Sequence, residues 1–248
     1  MSEATRMWTE IVFNLAYLVT VWWLVITMTY RRSAVAPDDR EPARLVRWAF
    51  FLLALGDTGH VGFRVLAYAL GDLGIGFTLV GQRIGLVGLG ALSTAFTLTL
   101  FYVIMLFLWR ARLQGELGWF GSALLVAGLI RLCLLVPPSN QWNSVVPPQP
   151  WSIYRNLPLM FQGLGVAHLI LRDAYAKREW RFVWIGILIL VSFGCYVPVV
   201  LFVQTAPLLG MLMIPKTISY VAIGFLAFRD LYIAEDERAA TSAVTTAL

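Results

Sequence analysis

Charge is scarce in this sequence. Of its 248 residues, 13% are charged and 59% are hydrophobic. A soluble domain carries roughly a quarter charged residues, and a water-facing surface drawn from this composition would be bare. Cysteine is nearly missing: Cys133 and Cys195 are the two present, and both fall inside apolar blocks. That excludes a disulfide framework and leaves two small buried side chains. Histidine is limited to His60 and His168. With so few nitrogen and carboxylate ligands at membrane depth, no metal site is expected. There is no His-x-x-Glu-His, no paired acidic motif and no glycine-rich phosphate loop.

What the sequence has instead is long apolar runs. A transmembrane helix needs ~20 mostly apolar residues, and seven blocks meet or approach that. They run roughly Trp8 to Tyr30, Trp48 to Leu70, Ile84 to Trp109, Leu117 to Val136, Leu157 to Leu171, Phe182 to Val203 and Pro207 to Phe228, the fifth being the shortest. The first is too long for a signal-peptide core, lacks a small-residue cleavage pattern and is followed by Arg31 and Arg32. The expectation is an all-α polytopic membrane protein, a bundle of seven transmembrane helices over residues 1–230. A tail at 231–248, acidic and then rich in Ala, Ser and Thr, reads as solvated and disordered.

Basic residues set the orientation. Arg31, Arg32, Arg40, Arg44, Arg47, Arg110, Arg112, Arg172, Lys177, Arg178, Arg181, Arg229 and Arg238 fall on one side, and Arg6, Arg83 and Arg155 on the other. Thirteen against three predicts an external N-terminus and a cytoplasmic C-terminus. The net charge of +5 is then a topology signal with affinity for anionic lipid headgroups. No nucleic-acid partner is implied, and a monomer or an oligomer is equally compatible.

Ionisable groups at membrane depth are costly and are functional candidates by default. The second block contains Gly56-Asp57-Thr58-Gly59-His60-Val61-Gly62-Phe63-Arg64. Asp57, His60 and Arg64 are spaced i, i+3 and i+7 on one helical face, and the glycines would let a neighbouring helix or a ligand come close. The seventh block contains Met213-Ile214-Pro215-Lys216-Thr217-Ile218-Ser219-Tyr220. Asp57 lies ten residues past Arg47 and Lys216 thirteen before Arg229, so their depths agree and an Asp57–Lys216 contact is expected. Pro215 should kink the helix or open a polar niche there. Glu10 sits near the outer end of the first block, leaving Asp57 as the one deep carboxylate.

The other polar candidates cluster toward the outer half: Asn14, Arg131, and Tyr154 and Arg155 at the end of the long 137–156 connection. That connection is either a lid or an anchor for Trp142 and Trp151 at the interface. Arg64, Arg131 and Lys216 against Asp57 leave an excess of positive charge opening outward. Such a cavity favours a small anionic or amphiphilic ligand carrying a phosphate or carboxylate. Lys216, Arg64, Tyr220, Asn14, Arg131, Tyr154 and Arg155 are its candidate binding residues. If the site is catalytic, His60 is the acid or base and Asp57 orients it. The competing reading is an accessory subunit whose polar cluster only pins helices together.

Two resemblances attach to these residues. Seven helices, an external N-terminus, Lys216 in the middle of the last helix, and Tyr196 with Pro198 in the sixth resemble microbial rhodopsins. That resemblance implies retinal as cofactor, bound to Lys216 as a Schiff base, with Asp57 in the counter-ion role because Leu212 stands where that family usually has an aspartate. The strings Gly56-Asp57-Thr58-Gly59-His60, Trp151-Ser152-Ile153-Tyr154-Arg155-Asn156 and Met213-Ile214-Pro215-Lys216-Thr217 are similar to bacterial seven-helix proteins of unassigned function. They imply a bacterial plasma (inner) membrane location and bring no activity or cofactor.

Overall fold

The structure, a computed structural model, describes residues 3–70, 76–79, 81–144 and 148–233, with residues 3–11, 68, 79 and 82 through their backbone alone. The side chains of Arg6 and Glu10 and the 234–248 tail with Arg238 therefore lie outside the described set. Seven α-helices are present among the described residues: α1 (Glu3–Tyr30), α2 (Arg40–Ala69), α3 (Leu86–Leu113), α4 (Gly118–Leu134), α5 (Trp151–Ala176), α6 (Trp180–Phe202) and α7 (Met213–Phe228). Among the described residues, five segments are long and apolar enough to cross a membrane: Val12–Ala34, Pro37–Ala67, Leu86–Leu113, Trp180–Phe202 and Pro207–Ile233. Apart from one short hairpin the described residues are helical, and the composition is membrane-like.

The apolar blocks underestimate α5 most. Expected as the shortest, it runs 26 residues, whereas α4 has 17 and α7 has 16. The extra length is polar sequence that helical geometry turns inward: Ser152, Arg155 and Asn156 are all buried. Hydropathy cannot see a polar residue whose partner is the bundle interior. Pro215 differs too. A 3-10 segment over Pro207–Leu212 precedes α7, so Pro215 falls in the first turn. There a missing N–H costs no helical bond, and the proline starts a helix instead of kinking one. Between α2 and α3 stands a hairpin the sequence reading treats as plain connection, β1 (Gly76–Leu79) and β2 (Gln82–Gly85), antiparallel from Gly76↔Gly85 to Leu79↔Gln82.

Small residues bring α2 and α3 together. A Cβ on Gly56 would collide with Thr97 Oγ1, one on Gly59 would lie 2.8 Å from Ser93 Oγ, and one on Gly90 would lie 2.9 Å from His60 Cα. Without a hydrophobic drive between helices in lipid, such backbone approach supplies the van der Waals contact that holds them. Gly62 meets nothing, so it takes no part in this approach. Aromatic rings fill the bundle centre. Phe101 makes edge-on contacts with Phe50, Tyr102 and Tyr220 at centroid distances of 5.8, 5.2 and 5.5 Å, and the Tyr102 and Tyr220 hydroxyls share a 2.8 Å hydrogen bond.

One end of the bundle is closed by an ion cluster. Arg112, at the end of α3, donates to Asp39 before α2 (2.9 Å), Glu179 before α6 (3.1 Å) and Asp230 after α7 (3.2 Å). Arg181 adds a second contact to Asp230 at 3.3 Å, Trp109 Nε1 donates to Asp173 at 2.8 Å, and Tyr232 donates to the Ala43 carbonyl at 2.7 Å. The connections that carry the basic clusters in sequence thus meet on one face.

Candidate functional site

The opposite half of the bundle is hollow. A cavity of about 410 Å³ is lined from α1, α2, α3, α4, α5, α6 and α7, with Trp142 of the 137–150 connection and Gly210 and Met211 of the 3-10 segment at its rim. Tyr220 forms its floor against the aromatic core.

Asp57 is on the wall, and its partners are not the ones the sequence suggests. Tyr17 donates to Oδ2 at 2.6 Å and Thr94 to Oδ1 at 3.3 Å. Thr94 Oγ1 also lies 3.0 Å from the Gly56 carbonyl, so it reaches Asp57 because Gly56 admits α3. Lys216 faces the same cavity, as equal depth requires, and interacts with Asp57 through charge, but the two form no direct salt bridge. The ammonium instead lies 4.9 Å from the centre of the Tyr196 ring and 5.4 Å from that of Tyr220, a cation held over two π faces. No hydrogen bond links Asp57 to His60 either. His60 lines the cavity with Nδ1 buried and unpartnered.

Arg131 is the group whose situation is most unusual. It is 2% exposed, on the cavity wall, and its one hydrogen bond is a long 3.5 Å contact to Asn156 Oδ1. Its Nε and Nη1 groups have no hydrogen-bond partner among the described residues. Asn156 Oδ1 also accepts from Tyr196 at 2.8 Å, and a neutral amide brings no charge to balance the guanidinium. Nearby Arg155, 8% exposed, is better placed. It donates to Asn140 O and Oδ1 at 3.3 and 3.1 Å and stacks 4.4 Å from the Trp142 ring centre.

Asn14, Asp57, His60, Arg131, Arg155, Lys216 and Tyr220, all singled out from sequence, line this one cavity. Arg64 and Tyr154 do not. Seven residues beyond Asp57, Arg64 is on the same helical stripe but about 10 Å further along the axis, past the rim and exposed. Tyr154 is 49% exposed and rests edge-on against Trp151 at 6.1 Å, because the 100° step per residue that buries Arg155 turns it outward. Tyr17, Thr94, Asn156, Tyr196 and Trp142 complete the wall. Among the described residues the lining holds three buried cations (Arg131, Arg155 and Lys216) and one carboxylate.

Comparison with known proteins gives no relative. No protein-family model, no curated protein and no solved structure matches the chain.

The chemistry of this wall follows from its own groups. Lys216, Arg155 and Arg131 supply fixed positive charge in a low-dielectric setting, where electrostatic contacts are stronger than in water. Tyr17 and Tyr196 already spend their hydroxyl protons on Asp57 and Asn156, and Thr94 shares its single proton between the Gly56 carbonyl and Asp57. Among the described residues of the wall, the unused donors belong to Arg131 and to the Lys216 ammonium.

Proposed function

We propose that this protein is a seven-span plasma-membrane protein, N-terminus outside, whose outward-facing cavity binds a small anionic or amphiphilic ligand. The observation that carries the reading is Arg131: a buried guanidinium with two nitrogens unpartnered among the described residues, beside Arg155 and Lys216 and with Asp57 already engaged by hydroxyls. Leaving a buried charge without a partner costs several kcal/mol, and an anion is what relieves it. The seven-span count assigns α4 and α5 as spans beside the five apolar segments. The orientation rests on the basic face around Arg112. As a receptor, carrier or intramembrane enzyme, the protein would use the same anion site. In the enzyme case His60 is the available base, unassisted by Asp57.

Butyl phosphate is the probe that tests this reading. It should raise the thermal unfolding midpoint of the detergent-purified protein, and Arg131→Met should weaken its binding about 10–100-fold, the value of one to two charge-assisted hydrogen bonds. The ligand-free Arg131→Met protein should be more stable than wild type, because an apolar side chain of similar length replaces orphaned donors. A variant that is less stable and binds butyl phosphate normally would make Arg131 a packing residue and defeat the proposal in favour of an accessory role.

A second reading keeps Lys216 as a retinal Schiff base. It is favoured by a buried lysine, 9% exposed, that faces the cavity without an ion pair. Expression with all-trans retinal should then give a visible band beyond that of free retinal and lost in Lys216→Ala. Absence of the band removes this reading.

A further inference from the structure

The charged cavity has an apolar neighbour. A hollow of about 440 Å³ is lined by Phe63 of α2, Leu92 and Phe96 of α3, and Leu132 of α4. Leu135 and Trp142 line both it and the cavity. On α4 the two hollows are read by consecutive residues: Arg131 faces the cavity and Leu132 the groove, one 100° step apart. On α3, Thr94 faces the cavity and Leu92 and Phe96 the groove. Phe96 is 47% exposed, so the groove reaches the apolar outer surface of the bundle.

The shared boundary is built and held. Trp142 Nε1 donates to the Leu135 carbonyl at 3.2 Å, so the two residues common to both hollows frame one threshold. Next to it, Asn143 Oδ1 accepts from the Gly85 N–H at 2.7 Å and Asn143 Nδ2 donates to the Arg83 carbonyl at 3.0 Å. The hairpin therefore fixes where Trp142 lies. On its cavity side the indole carries the Arg155 guanidinium.

These observations discriminate among ligands. A bare anion would meet Arg131, Arg155 and Lys216 and make no use of the groove. A neutral lipid would fill the groove and leave the Arg131 donors orphaned. An amphiphile with an anionic head satisfies both, because charge and apolar surface lie on either side of one threshold. We propose that the ligand is a single-chain amphiphile with a phosphate or carboxylate head, seated with its head among Arg131, Arg155 and Lys216 and its acyl chain in the groove between α2, α3 and α4. This rests on the anion-binding reading above and narrows it.

The test uses the full chain in phosphatidylcholine nanodiscs and two photoreactive probes with the same twelve-carbon, diazirine-ended tail (a length on the order of half a bilayer's hydrocarbon). One carries a phosphate head and the other a neutral glucoside. Cross-linked peptides are mapped by mass spectrometry, and binding of butyl phosphate is followed in parallel. The phosphate probe should label segments 89–96 and 132–136, at least tenfold more than the glucoside probe does. That labelling should fall at least tenfold in Arg131→Met. Leu132→Trp, which fills the groove, should abolish the labelling and leave butyl phosphate binding unchanged, which also shows that the variant is folded. Equal labelling by both probes, or labelling indifferent to Arg131→Met, overturns the proposal. If butyl phosphate binds but the phosphate probe labels the bundle surface at random, the amphiphile fails while the anion site stands. If butyl phosphate does not bind wild type, both fail.

Discussion

Gly56→Ala sets two effects of opposite sign against each other. Alanine is the better helix former, by roughly 0.5–1 kcal/mol in a helix interior, so propensity alone predicts a more stable protein. The new methyl, however, would overlap Thr97 Oγ1 and lie 3.3 Å from the Thr94 Cα. The second neighbour is backbone and cannot swing away. Thr97 Oγ1 is itself held 3.0 Å from the Ser93 carbonyl. Overpacking of this kind costs about 1–3 kcal/mol, so the net effect should be a loss of about 1–2 kcal/mol. For a chain of this size that lowers the unfolding midpoint by about 2–8 °C, measurable by circular dichroism in detergent micelles. Thr97→Ala removes the offending oxygen, and in that background Gly56→Ala should cost little or become favourable, giving a positive coupling in the double-mutant cycle. If Gly56→Ala stabilises equally in both backgrounds, α2 and α3 are not in backbone contact there, and the route by which Thr94 reaches Asp57 is lost.

Arg112→Met should destabilise by about 2–4 kcal/mol, since it leaves three carboxylates facing one another half-buried. Adding Asp39→Asn, Glu179→Gln and Asp230→Asn should recover most of the loss, and a denaturation midpoint that ignores Arg112→Met would show the cluster to be ornamental. Tyr17→Phe should cost about 1–3 kcal/mol by removing a donor from a buried carboxylate. In an Asp57→Asn background the same change should cost clearly less; strict additivity in unfolding measurements would mean the 2.6 Å contact contributes nothing.

The helices were legible because lipid imposes one rule, about twenty apolar residues per crossing, and α1, α2, α3 and α6 obey it. What escaped was polar sequence turned inward, as at the start of α5, and the Gly76–Gly85 hairpin, whose few residues carry no periodicity of useful length. Depth counting was enough to bring Asp57 and Lys216 to one cavity, yet not to choose their partners. Tyr17 gave no signal, since an aromatic residue in an apolar helix usually packs or faces lipid, and Tyr196 stood out only beside Pro198. Of the three cations counted from sequence, Arg131 and Lys216 line the cavity. Arg64 stands past the rim, and Arg155, assigned to the outer side by loop counting, points into the bundle. Arg112 was hidden in plain sight, its basic character absorbed by the orientation rule.

That ion cluster has a consequence for traffic. The molecule is shaped like a cup, hollow at one end and stoppered at the other by one guanidinium gripping the approaches to α2 and α6 and the exit from α7. Opening a path through the base would strand Arg112 and its three carboxylates together, at several kcal/mol for partly buried charges. Under the proposed reading, a ligand that enters past Trp142 should therefore leave by the way it came, which favours a receptor or an enzyme over a carrier.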